Sequence, residues 1–240
     1  MSSLGKLYGV GIGPGDTELL TIKAVNVLNS VEVIFTPRAA PTRDSIARKI
    51  IEPVLDNKKK IKELTFPMTK QKEELEYYWA EAASEVENVL KEGKNAAFVT
   101  LGDPFLYSTF IYLYRKIRER NPLVEIVTLP GISSIFASAS AAGIPIASGS
   151  EKVAIIPLSR DVNQIKPYLD MFDTIFILKV GDKLQDLVDL LSRLELADKS
   201  VLVQKVSQAG LQKVIRNLPE LREDELREVG YLSTVIVKKA

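Results

Sequence analysis

Tyr8-Gly9-Val10-Gly11-Ile12-Gly13-Pro14-Gly15-Asp16 is the stretch on which the fold of this chain turns. A short apolar strand signal, Leu7 to Val10, runs into it, and a helical pattern follows from Glu18. Strand, tight glycine loop and helix in that order bring backbone close to a small ligand. Glycine admits φ > 0 and lacks the Cβ that would hold a ligand away. The dinucleotide fingerprint requires G-x-G-x-x-G at such a turn. Counted from Gly9 its last position is Pro14, and counted from Gly11 it is Asp16. Asp16 also sets a carboxylate where a pyrophosphate would meet the helix N-terminus. No Gly-Lys-Ser/Thr follows to make a P-loop. Asp16 suits a helix cap, which leaves the glycines unexplained. The loop approaches something other than a phosphate.

Composition narrows the chemistry. The chain has 240 residues, 46% hydrophobic and 26% charged, an ordinary globular mixture with room for one large or two medium domains. A formal net charge of +1 gives no global field toward nucleic acid or an anionic membrane. Lys58-Lys59-Lys60 reads as a solvated surface run. Cysteine and histidine are both absent. Their absence excludes disulfides, thiol catalysis, a Ser-His-Asp triad and a Cys/His zinc centre, and no metal site is expected. No secretory leader is read at the start, and no apolar run nears the ~20 residues that span a bilayer. The expected location is the cytoplasm.

Strand and helix signals alternate along the first half. Strands are expected at Lys6–Gly11, Val31–Thr36, Ile61–Thr65 and Asn95–Thr100, with helices at Glu18–Asn29, Ser45–Ile51 and Lys70–Glu92. Leu75, Tyr78, Trp79, Ala82, Val86 and Val89 keep helical spacing, and Gly93 stops that helix. Such alternation predicts βαβ units and a largely parallel sheet. A further helix, Leu106–Arg120, ends at Asn121-Pro122, and a strand follows at Val124–Leu129. The second half offers strands at Lys152–Pro157, Thr174–Val180, Ser200–Val206 and Tyr231–Lys238, and helices at Ser133–Ala142, Val162–Met171 and Asp182–Leu194. The last strand has no helix after it and is expected to run antiparallel. The fold class is α/β in two domains, 1–122 with a mostly parallel sheet and 123–240 with a mixed one.

Ligands of open α/β sheets bind outside the carboxyl ends of the strands. Three glycine-containing turns fall at such ends: Gly11–Asp16, Leu101-Gly102-Asp103-Pro104, and Pro130-Gly131-Ile132-Ser133-Ser134. Each also reads as plain helix-start grammar, with Asp103 or a serine as cap and Pro104 at the first helical position. If the strands are neighbours, the three turns line one crevice.

In their order and spacing these turns resemble the tetrapyrrole methylase family. The resemblance rests on Tyr8–Asp16, on Thr100-Leu101-Gly102-Asp103-Pro104-Phe105-Leu106-Tyr107-Ser108-Thr109, and on Leu129-Pro130-Gly131-Ile132-Ser133-Ser134, and it covers essentially the whole chain. Leu19-Leu20-Thr21-Ile22-Lys23-Ala24, Ser45-Ile46-Ala47, Phe66-Pro67-Met68 and Thr109-Phe110-Ile111-Tyr112-Leu113 bring it nearest to the C20-methyltransferases of precorrin-2 or cobalt-factor II. The resemblance implies two α/β domains with a cofactor cleft between them, a homodimer, and methyl transfer from S-adenosylmethionine to a meso carbon of a tetrapyrrole, leaving S-adenosylhomocysteine. It also implies cofactor contacts from Pro14, Leu101, Gly102, Asp103, Leu106, Ser133 and Ser134, and more loosely from Lys179, Val206 and Thr234. A sulfonium donor needs alignment more than a catalytic metal or a covalent intermediate, which suits a chain without His or Cys. The base that removes the meso proton is left unassigned. A polycarboxylate substrate needs local cations; Arg38 and Arg43, after the strand Val31–Thr36, are the candidates. Other activities of the superfamily stay open: a different precorrin methylation, diphthine synthesis, or ribose methylation of RNA, the last without the basic stripe it calls for. A nucleotide-binding oxidoreductase fails on the fingerprint. A non-catalytic ligand-binding subunit is the remaining alternative.

Overall fold

The computed structural model describes residues 4–40, 42, 44–56, 59–221, 229–230 and 232–239. These fall into two units that divide after Ser133.

In the first unit β1 (Leu7–Gly11), β2 (Val33–Arg38), β3 (Lys60–Thr65), β4 (Ala96–Thr100) and β5 (Ile126–Leu129) form one sheet in the order β3-β2-β4-β1-β5. Every neighbouring pair is parallel. Parallel strands are covered on both faces and so read as apolar runs; every residue of β4, Ala-Ala-Phe-Val-Thr, is buried. On one face α3 (Lys72–Lys91) and α4 (Phe110–Arg120) bury Val86, Leu90, Phe110 and Leu113 with Phe35 and Phe98. On the other, α1 (Ile22–Ser30) and α2 (Ile46–Ile51) bury Leu28 and Ile51 with Val10, Ile34 and Val99. Thr21 caps α1, its hydroxyl accepting from the Ala24 amide at 3.1 Å. Gly93, at φ +75°, ends α3 in the left-handed conformation of a helix stop.

β1 leads to α1 on one face and its neighbour β4 leads to α4 on the other. The chain therefore leaves adjacent strands in opposite directions, which opens a switch point at their carboxyl ends.

In the second unit β6 (Val153–Pro157), β7 (Thr174–Leu178), β8 (Ser200–Gln204), β9 (Lys213–Ile215) and β10 (Ser233–Lys238) lie in the order β6-β7-β10-β8-β9. β6 and β7 are parallel, while β10 runs antiparallel to both β7 and β8, as expected. α7 (Leu184–Arg193) buries Leu187, Leu190 and Leu191 in a cluster with Ile175, Ile177, Val235 and Val237, which α6 (Lys166–Met171) joins through Leu169. α5 (Ser134–Ala142) packs on β8 and β10, outside that cluster.

Several boundaries differ from expectation, each for a local reason. The units divide after Ser133 rather than 122, because β5 pairs with β1 and belongs to the first sheet. The helix expected from Leu106 starts at Phe110. Tyr107, at φ 51°, is left-handed and cannot join a right-handed helix. The helix expected from Glu18 is a 3-10 turn, Thr17–Leu19, and then α1. Asp16 caps that turn, its carboxylate accepting from the Glu18 amide at 2.9 Å. Val162–Ile165 is likewise a 3-10 turn before α6, which starts at Lys166 with Pro167 in its first turn. β9 has no counterpart among the expected strands, and Tyr231, the expected start of the last strand, lies outside the described residues.

Candidate active site

Strand order sets the carboxyl ends of β4, β1 and β5 side by side, so the three glycine turns meet. The Ile12 amide donates to the Thr100 carbonyl at 3.0 Å, and the Gly102 amide to the Gly13 carbonyl at 2.8 Å. Gly13 and Gly102 form an isolated antiparallel bridge, both at positive φ, +75° and +67°. The approach is too close for side chains. A Cβ on Gly11 would lie 2.5 Å from the Gly131 nitrogen and 2.6 Å from the Gly102 oxygen; one on Gly131 would lie 2.2 Å from that oxygen. Gly11, Gly102 and Gly131 thus form a nest of bare backbone at the switch point.

Asp103 ties the nest together. One carboxylate oxygen accepts from the Phe105 amide at 2.9 Å and the other from the Gly131 amide at 3.2 Å. The first bond is the expected cap, except that a turn follows instead of a helix. The second joins the loop after β4 to the loop after β5, a role that no local pattern announces.

Of the other expected cofactor residues on this unit, Pro14 and Ser133 are buried, while Leu101 and Leu106 are half-buried; Ser134, the first residue of the second unit, is half-buried as well. Leu106 stands in the turn ahead of α4, not at the start of that helix as expected, because the helix starts later.

Lys179, Val206 and Thr234 come together at one edge of the second sheet. Thr234, the second residue of β10, lies opposite Leu178 of β7 and Val203 of β8. Lys179 follows Leu178 directly, and Val206 stands two residues beyond Gln204. Lys179, Lys205 and Ser207 all lie at positive φ, 60°, 44° and 61°. The Lys205 amide donates to the Leu232 carbonyl at 2.8 Å and the Ser207 amide to Gln212 Oε1 at 2.7 Å. Strain of this kind gathers at functional loops, and neither Lys205 nor Ser207 carries a sequence signal for it.

Arg38 is the last residue of β2 rather than lying after the strand as expected. Its guanidinium meets Glu63 at 3.1 Å, and Arg48 reaches the same carboxylate at 3.6 Å. An incoming carboxylate would share Arg38 with Glu63. Arg43 lies outside the described residues.

A parallel sheet with a phosphate-free glycine nest, followed by a mixed sheet, is an architecture found in solved structures. Cobalt precorrin-4 methyltransferase matches 97% of this chain and 94% of its own, with a TM-score of 0.73 and 19% identity. Uroporphyrin-III C-methyl transferase from Thermus thermophilus, complexed with S-adenyl homocysteine, matches 98% of each chain, with a TM-score of 0.65 and 20% identity. Fold and site together define an α/β protein of the class III methyltransferase fold. More closely, the family of tetrapyrrole (corrin/porphyrin) methylases matches residues 6–222, and the chain belongs to it. A probable cobalt-precorrin-2 C(20)-methyltransferase of Methanocaldococcus jannaschii is 44% identical over 98% of this chain and 96% of its own. The cobalt-precorrin-2 C(20)-methyltransferase of Salmonella typhimurium is 31% identical over 98% of this chain and 97% of its own.

Proposed function

We propose that this chain transfers a methyl group from S-adenosylmethionine to the C20 meso carbon of a precorrin-2-type tetrapyrrole on the route to cobalamin, with the cobalt-containing form as acceptor. The reading is carried by the 44% identity, sustained over nearly the whole of both chains, to a relative named for that reaction.

The residues suit the cofactor. Gly11 and Gly131 let the three loops pack backbone on backbone with no room for a Cβ, which leaves bare main chain at the switch point, and the loop sequence offers no lysine to a phosphate. S-adenosylmethionine supplies a methyl carbon that is already electrophilic on a neutral leaving group. The chain's own task is then binding and alignment. Pro14, Leu101, Gly102, Asp103, Leu106 and Ser133 are assigned to the cofactor on the first unit, and Ser134, Lys179, Val206 and Thr234 on the second. With both oxygens engaged by backbone amides, Asp103 acts first as the clamp that holds the nest's shape and keeps further lone pairs for a ligand. Arg38, oriented by Glu63, is assigned to a substrate carboxylate, and Arg43 with it. The working form is a homodimer in the cytoplasm. Among the described residues no helix is long and apolar enough to cross a membrane.

The test is transfer of labelled methyl from S-adenosylmethionine to each acceptor class in turn. Label in the cobalt-loaded tetrapyrrole, and none in ribosomal RNA or protein, is the expected result. A chain that does not bind the cofactor would overturn the methyltransferase reading. Label in RNA or protein alone would overturn the acceptor.

A further inference from the structure

Beyond Asp103 the loop after β4 carries two aromatic side chains held out to solvent, Phe105 (52% exposed) and Tyr107 (46%). Neither position is loose. Asp103 accepts from the Phe105 amide at 2.9 Å through its carboxylate and from the Leu106 amide at 3.4 Å through its carbonyl. The buried Ser108 hydroxyl donates to the Pro104 carbonyl. The Phe105 ring is seated edge-on against Tyr114, centroids 5.5 Å apart, and 6.0 Å from Phe110, so its orientation is fixed while half its surface stays bare. Tyr107 is held at φ 51°, a conformation that costs a bulky residue and that glycine adopts freely. Backbone geometry alone therefore favours glycine at 107. The chain carries a tyrosine there, against that preference and with its ring half exposed.

Single exposed apolar residues need no explanation. Two rigid aromatics, two residues apart on an immobilised loop beside a glycine nest, do. We infer that Phe105 and Tyr107 are positioning residues, a platform against which the flat conjugated face of the acceptor is laid. The inference rests on the reading above that the acceptor is a tetrapyrrole. Aromatic side chains give a π-face large contact area in offset or edge-on geometry and lose little rotamer freedom in doing so. The loop that carries these rings also carries Leu101, Gly102 and Asp103, which are assigned to the methyl donor. A macrocycle resting on the rings is thereby brought beside the donor by one rigid segment, which is how binding becomes alignment.

The test uses the full chain and uroporphyrin, a flat polycarboxylate porphyrin, with binding followed through quenching of the single tryptophan, Trp79, which stacks on Tyr112 at 4.3 Å in the same unit. Tyr107→Gly removes the ring and the strain together. It is expected to keep a cooperative urea transition and to bind S-adenosylhomocysteine with unchanged affinity. Its porphyrin affinity is expected to fall about tenfold, with Phe105→Ala similar and Tyr107→Phe unchanged. In the transfer assay the loss should fall on KM for the tetrapyrrole. Parental porphyrin affinity in Tyr107→Gly and Phe105→Ala would overturn the platform alone. A parent chain that binds no porphyrin would overturn the acceptor reading and the platform with it.

Discussion

The carboxyl edges of the two sheets are built by opposite means. In the first unit three loops converge until Gly11 and Gly131 have no room for a Cβ, both pressing on the carbonyl oxygen of Gly102. In the second the strand ends turn through left-handed conformations carried by Lys179, Lys205 and Ser207, which keep full side chains. One edge is selected by space and the other by backbone conformation. A steric requirement can be met by one residue type only. Strain can be borne by many types, provided the neighbouring hydrogen bonds over-determine the turn.

Substitutions at the two edges should therefore have opposite signs. The largest effect belongs to Gly131→Ala. Its new Cβ would lie 2.2 Å from the Gly102 oxygen, which is backbone and has nowhere to retreat. A loss of about 3 kcal/mol in urea unfolding is expected, and calorimetry should show S-adenosylhomocysteine binding abolished. Gly143→Ala is the matched control, at φ +63° with no atom within 4 Å of the added carbon. It pays only for the left-handed conformation, roughly 1 kcal/mol. Equal losses at the two positions would break the steric account.

At the second edge, Lys179→Gly is expected to stabilise. It relieves a left-handed strain of about 1–2 kcal/mol and adds back about 0.5–1 kcal/mol of unfolded-state entropy, for a net gain of up to about 1.5 kcal/mol. A rise in the urea midpoint is the measurement. A fall would mean that the Lys179 side chain, rather than the turn it occupies, holds this edge in place.

The same contrast explains what could be read without coordinates. Parallel strands, the two sheets and the meeting of three turns follow from apolar runs and glycine placement, both of which are local and periodic. The nest is legible because glycine alone fits at Gly11 and Gly131 and is favoured at Gly102 by its φ of +67°. Gly131's bond to Asp103 was not, since it joins positions far apart in sequence through an ordinary-looking cap. The start of α4 was misplaced because nothing in Leu106-Tyr107-Ser108 marks Tyr107 as left-handed. Arg38 was correctly put at a strand's carboxyl end, but its ion pair with Glu63 depends on β2 and β3 being neighbours.

The opposite edges of the sheets sharpen the contrast once more, at the smallest scale. Lys6 and Glu125, flanking β1 and β5, pair at 2.9 Å with side chains about half exposed, 46% and 56%. Lys238 of β10 and Glu151, just before β6, pair at 2.7 Å with only 14% and 21% exposed. Exposed pairs contribute little, so Glu125→Gln should leave urea unfolding unchanged at every pH. Glu151 differs. The Lys238 ammonium, and then the Ser148 amide, hold its carboxyl below the ordinary 4.5. Because the folded-state value is the lower one, the unfolded chain takes up the proton first as pH falls. The stabilisation is thus complete above the ordinary value and disappears as pH drops through the lowered one. Glu151→Gln keeps an oxygen for the Ser148 amide and removes only the charge. It should be less stable than the parent near neutrality and converge with it in acid. A deficit that persists unchanged into acid would show that Glu151 acts through its hydrogen bonds rather than its charge, and the two amino-terminal edges would then be held alike.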